Sequence, residues 1–140
     1  MDIRYPALIE PQEPAGYLVT FPDLPDTFTE GETIDEALFN AAEVLTAMIG
    51  WKLDNDQAVP EPSPMIEGYH GIAPDARTQA ALLVRRARGD RSLADIARAL
   101  DTSRPAAKRL EDPHHWPSLK QLEKAAQVLG KKLVLSFEGP

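Results

Sequence analysis

Two groups of residues in this 140-residue chain carry enough charge, closely enough spaced, to do chemistry. The first is acidic: Asp23, Asp26, Glu30, Glu32, Asp35, Glu36 and Glu43 fall within one short stretch. Carboxylates in such number are what two-metal phosphodiester hydrolysis uses, holding paired divalent ions that activate water for in-line attack. That chemistry needs ligands converging from separate elements. These residues read as loop positions and the solvent face of one helix, with no histidine among them. A solvated face, or a surface complementary to a basic protein, accounts for them better than a metal centre. The second group is basic. Arg91 and Ser92 precede Ser103, Arg104, Pro105, Lys108 and Arg109. On a helix Arg104 and Lys108 are one turn apart and can both address base edges, while Arg109 is rotated away and suits phosphate, as do Arg91 and Ser92. His70 and the pair His114–His115 have no second ligand at metal spacing, so the sequence points to no metal site and no cofactor.

The charge of the whole chain follows the same division. Its formal net charge is −7. Residues 1–65 hold 13 Asp/Glu against 2 Lys/Arg, and residues 66–140 hold 9 against 13. A basic half can approach phosphates, whereas an acidic half repels them and attracts a basic protein. Two modules with two kinds of partner are expected, each near the lower size limit for an independent core, so an oligomer is the default. The chain has no cysteine and therefore no disulfide or thiol chemistry. No stretch approaches the ~18 consecutive apolar residues of a membrane span, and the start, MDIRYPALIE, lacks the basic and apolar regions of a signal peptide. The expected location is cytoplasmic.

The elements that must position the acidic group begin with an alternation of Ile3, Tyr5, Ala7 and Ile9, a strand in which Pro6 marks an edge or a bulge. PQEPAG breaks the chain before a second strand with Tyr17, Val19 and Phe21 on one face, making a hairpin; a third short strand is expected around Thr27 to Glu30. Thr33-Ile34-Asp35-Glu36 has capping-box form and opens a helix whose apolar stripe is Ile34, Leu38, Ala41, Leu45, Met48 and Ile49. Residues 54–64, with three alternating prolines, read as a semi-rigid extended spacer, and 65–72 as a returning short strand. Pro74 starts a helix with Ala76, Ala80, Leu83, Val84 and Ala87 buried and Gly89 ending it. Ser92 and Ser103 cap two short helices across an Asp101-Thr102 turn. Ser118 caps a last helix that buries Leu119, Leu122, Ala126 and Leu129, and Lys131 to Phe137 alternates as a closing strand.

The segment GYLVTFPDLP, then Thr29, Gly31 and TIDEALFNAAEVL, resembles the N-terminal domain of HicB antitoxins. The match holds at Phe21, Pro22, Asp23, Leu24, Pro25, Thr33, Glu36, Ala37, Asn40, Ala41 and Glu43; it departs at Asp26-Thr27, where the family usually has Gly-Cys. Ser92 to Glu111 resembles a Cro/C1-type helix-turn-helix, with Ala97, Leu100, Ala107 and Leu110 at core positions and Asp101 in place of the usual turn glycine. The resemblance implies an α+β chain. Residues 1–73 would form a partial RNase H-like toxin-binding domain, an antiparallel sheet plus helix. Residues 74–140 would form an all-α helix-turn-helix domain with a closing strand that pairs with its copy in a dimer. It implies a non-enzymatic antitoxin that occludes a HicA-like toxin, a small basic mRNA interferase, and represses its own operon by binding operator DNA. Toxin contacts are expected at Asp23, Asp26 and Glu30. Two alternatives stand beside it: a stand-alone transcription regulator whose N-terminal domain oligomerises or senses a ligand, and a metal-dependent nuclease needing Asp23 or Glu43.

Overall fold

The computed structural model describes residues 1–139. Strands β1 (Tyr5–Pro11), β2 (Tyr17–Thr20), β3 (Phe28–Gly31) and β4 (His70–Ile72) form one antiparallel sheet in the order β3-β2-β1-β4. The hairpin expected from the alternation is present, with Ile9 opposite Val19. β1 changes partner along its length: Tyr5–Ala7 pair with β4 and Leu8–Pro11 with β2. Pro6, opposite Gly71, therefore lies where β1 is flanked on one side only, an edge-like setting for a residue that cannot donate to a ladder.

Helix α1 (Ile34–Asp54) covers one face of the sheet. The Thr33 hydroxyl accepts from the Glu36 amide at 3.1 Å, so the N-cap forms, but the Glu36 side chain does not reach back to complete the box. The buried stripe is Ala37, Ala41, Leu45, Ile49 and Leu53 rather than one beginning at Ile34, which is exposed. Gly31 explains the shift. A Cβ there would lie 2.4 Å from the Ala37 nitrogen, so β3 and the start of α1 touch backbone to backbone and no side chain fits at Gly31. Tyr5, Val19, Phe21 and Leu24 meet Leu45 and Ile49 in the first core. Each large side chain buried there contributes about 1.5–3 kcal/mol.

Residues 54–64 are not a free spacer. They run back over the sheet domain, with Val59 packed on the core, the Ser63 amide donating to Asp23 at 2.9 Å, and the Pro60 carbonyl accepting from the Tyr5 hydroxyl and, at 3.2 Å, from Arg86. Prolines remove donors but keep acceptors, and buried donors of the domain find those acceptors. Burial pushes the Tyr5 phenol above its ordinary pKa, so it stays a donor to Pro60 while accepting from Arg86.

Helix α2 (Ala76–Arg88) starts two residues later than expected: Asp75 is the N-cap, accepting from the Thr78 amide at 2.9 Å, which leaves Pro74 outside the helix and Ala76 exposed. Gly89, at φ +56°, ends it. Leu82 and Val84 are about 200° apart around the helix and face different cores. Ala81 and Leu82 enter the first; Val84 joins Ile96, Leu100, Leu110 and Leu129 in the second. The second core is built from α2 with α3 (Leu93–Ala99), α4 (Arg104–Arg109) and α5 (Leu119–Val128). Ser118 and Gln121 form a reciprocal capping box on α5; Leu119, the first residue of that helix, is exposed rather than buried.

The closing strand is a further correction. Lys131 to Phe137 forms no strand in the single chain, and Val134, Leu135 and Phe137 are exposed. A strand exists only in a ladder, and no strand of the described sheet pairs with this segment. Its end is tied down by an ion pair from Arg4 to Glu138 at 2.8 Å.

Candidate nucleic-acid interface and acidic surface

The basic group is presented by α3 and α4. The Ser92 hydroxyl accepts from the Asp95 amide at 3.1 Å and the Ser103 hydroxyl from the Ala106 amide at 3.2 Å, so each serine is committed to starting its helix. Asp101 makes the intervening turn at φ +54°, a left-handed conformation that aspartate visits more readily than most residues. Ala97 and Ala107 are buried between the two helices, where their small size permits close crossing. With Ala107 and Leu110 inward, Arg104, Pro105, Lys108 and Arg109 are left exposed on one side. Among the described residues the side chains of Arg104, Lys108 and Arg109 enter no hydrogen bond or ion pair; the Lys108 and Arg109 carbonyls accept from the Glu111 and Asp112 amides. Arg91 is exposed as well, with one long contact of 3.4 Å to the Val128 carbonyl.

Beneath this surface lies a network that the sequence did not single out. Glu111, 8% exposed, accepts from Arg88 through both oxygens at 2.6 and 3.0 Å, and Arg85 lies 3.6 Å away. The hydrogen bond to Glu111 holds the Arg88 guanidinium above its ordinary pKa, against the cost of burial. Arg88 also donates to the Arg91 carbonyl at 2.9 Å, so the end of α2 is pinned both to a residue two positions before α3 and to one two positions after α4. Glu111 closes the stretch that resembles a helix-turn-helix, and its partners stand more than twenty positions away.

Between the end of α1 and α4 runs an open groove of about 380 Å³, to which Asp54, Asp56, Lys108, Arg109 and His114 contribute. At its edge His114 Nε2 lies 2.7 Å from the Asp54 carboxylate, which holds the His114 pKa above its ordinary value, first through this hydrogen bond and then through charge. Asp112 accepts from the His114 amide at 2.8 Å. The hydrogen-bond partner of the His114 ring comes from 60 residues away.

The three acidic positions expected to meet a partner do not form one site. Asp23 is half-buried and engaged by the amide and hydroxyl of Ser63. Glu30, on the edge strand β3, accepts from Gln12 at 2.8 Å, and its carbonyl accepts from Asn40 at 2.8 Å. Asp26 is exposed and lines a groove of about 420 Å³ with Leu24, Met48, Trp51 and Lys52. The buried Thr27 hydroxyl also borders that groove and has no hydrogen-bond partner. Among the described residues, the seven carboxylates of 23–43 gather into no three-ligand set; the set that does gather is Asp54, Asp112 and His114. No helix among them is long and apolar enough to cross a membrane.

Residues 4–74, the sheet domain with α1, match the family model described as HicB_like antitoxin of bacterial toxin-antitoxin system. The chain is similar over nearly its full length to curated relatives. It is 29% identical to Antitoxin HicB of Escherichia coli strain K12 over 135 residues, covering 95% of this chain and 98% of the relative. Antitoxin HicB 1 of Photorhabdus laumondii is 27% identical over 137 residues, covering 98% and 88%. An uncharacterised 14.9 kDa protein of Haemophilus phage HP1 is 40% identical over 65 residues, covering 46% and 47%.

Proposed function

The chain belongs to the HicB-like antitoxin family, and on that premise we propose that it neutralises a HicA-like toxin through residues 1–73 and binds the operator of its own operon through residues 74–140. Inhibition is by occlusion: the acidic domain covers a small basic mRNA interferase, with charge complementarity speeding association more than it deepens affinity. The groove beside the PDLP loop suits a basic partner. A Lys or Arg side chain entering it would meet the Asp26 carboxylate and the exposed indole of Trp51, a pairing of charge and cation–π attraction. Asp23 serves by fixing the loop through Ser63, and Glu30 by extending the acidic surface along β3.

The observation that carries the DNA half is the unpaired, exposed cationic side of α4, set on α3 across the Asp101 turn. In this reading the pair is a helix-turn-helix whose second helix enters the major groove, Arg104 and Lys108 at base edges and Arg91, Ser92, Ser103 and Arg109 toward the backbone. Pro105 presents an apolar surface in the first turn. The exposed Val134, Leu135 and Phe137 would find their ladder in a second copy, and such a dimer would read half-sites about 34 Å apart.

Co-expression of the full chain with the small basic open reading frame adjacent to its gene tests the first half. The expected result is a stable complex and rescued growth, weakened when Asp26 and Trp51 are replaced together. Failure to bind any adjacent product would leave a stand-alone regulator as the better account. A gel-shift titration on the DNA upstream of the gene tests the second.

A further inference from the structure

We propose that Asp54, Asp112 and His114 form a site for a single borderline divalent metal ion, of which Zn²⁺ is the representative, at the junction of the sheet domain and the helical domain. Asp54 is the last residue of α1, whereas Asp112 and His114 lie in the turn after α4. One donor atom from each residue lies within 4.8 Å of the others. In a tetrahedral site two ligands, each about 2.1 Å from a Zn²⁺, sit roughly 3.4 Å apart. Rotation of the exposed Asp54 and His114 side chains closes that difference toward Asp112, which is half-buried.

The chemistry of the donors selects the ion. One imidazole nitrogen with two carboxylate oxygens is a mixed N/O set, which suits Zn²⁺, whereas Mg²⁺ prefers oxygen alone. At present a hydrogen bond at 2.7 Å joins His114 Nε2 to the Asp54 carboxylate. A metal would take the place of the shared proton. The fourth position opens on the groove, where water can complete a tetrahedron.

One feature outside the ligands favours a cation here. The 21-residue α1 ends at Asp54, so the negative end of its dipole points into the site. Asp112 also holds the His114 amide at 2.8 Å, which fixes the turn that carries the imidazole. Arg77, stacked on Trp116, opposes the charge of a bound ion, as do Lys108 and Arg109 across the groove; Asp56 and Glu111 offset them. Because the ligands come from segments 60 residues apart, the ion would clamp α1 to the turn between α4 and α5, beside the exposed cations of α4.

The test is calorimetric titration of Zn²⁺ into the full chain, free of tags and pre-treated with chelator, at pH 7.5. One equivalent per chain is expected, accompanied by a rise in Tm. Asp54→Asn and His114→Ala should each weaken binding at least tenfold, while His70→Ala leaves it unchanged. Both ligands are exposed, so the variants should fold, which their circular dichroism verifies. Zn²⁺ binding that survives both substitutions would overturn the site, as would absence of saturable binding in the parent.

Discussion

Removing the Glu111 carboxylate probes the network under α4 directly. Glu111→Ala leaves Arg88 and Arg85, each about one-fifth exposed, without the anion that draws them together. Breaking a fully buried pair by deleting one partner costs about 3–5 kcal/mol. Two features reduce that figure here. The guanidiniums keep part of their surface in water, and each retains another acceptor: the Arg91 carbonyl at 2.9 Å for Arg88 and Asp56 at 2.9 Å for Arg85. A loss of about 2 kcal/mol remains, and for a chain of this length that lowers Tm by roughly 6–10 °C. The assay is thermal and urea unfolding of the parent, Glu111→Ala, Arg88→Ala and the double variant. The double-mutant cycle should return a coupling of about 1–2 kcal/mol, little changed by salt because Glu111 is shielded from it. A Tm within about 2 °C of the parent, or a coupling indistinguishable from zero, would refute the idea that this pair holds α2 to the α3–α4 unit.

Gly31→Ala should destabilise by about 1–3 kcal/mol, because its Cβ would meet the Ala37 backbone at 2.4 Å and no side-chain rotation can relieve that; a urea midpoint unchanged from the parent would contradict the close approach. Arg104→Ala and Lys108→Ala should each weaken operator binding by about 1–3 kcal/mol and relax sequence preference, whereas Arg109→Ala should weaken all DNA alike and reduce the salt slope by about 1; fluorescence anisotropy at several salt concentrations separates the two patterns. In metal-free protein, the Asp54–His114 pair raises the folded His114 pKa above its ordinary 6.5, with Asp112 adding to the effect and Arg77 opposing it. The resulting stability is fully present below the unfolded pKa and is lost as pH rises through the folded one; a parent and His114→Ala difference in Tm that grows with pH would reverse the sign.

Local rules reached far into this structure and failed wherever distance entered. Period-two alternation placed β1 and β2. Serines and a threonine marked helix starts, and Gly89 and Gly130 stand at φ +56° and +72° where helices end. These are contests among neighbours, which a sequence displays. The face of α1 was misjudged at Ile34 because the contact that decides it, Gly31 against Ala37, depends on how closely a strand and a helix approach. Residues 54–64 have the composition of a spacer, yet Pro60 and Ser63 are held by Tyr5, Arg86 and Asp23, which composition cannot reveal. Asp23 was legible as an acidic loop residue but not as one already engaged. The His114–His115 pair offers no metal spacing of its own, and the partner of the His114 ring, Asp54, stands 60 residues away. Lys131 to Phe137 has the pattern of a strand, but pattern does not provide a neighbour to pair with.

The placement of Leu82 and Val84 on opposite sides of α2 bears on how long each half of the chain can outlive the other. A tethered pair of domains can be cut at its tether, and each piece persists at its own rate. Here the segment after residue 73 supplies a wall of both cores, so a break within it strips Ala81 and Leu82 from one and Val84 from the other. The two halves are lost together. Under the proposed function, a cell holding this protein would then keep no long-lived fragment able to mask a toxin without reading DNA, or to read DNA without masking a toxin.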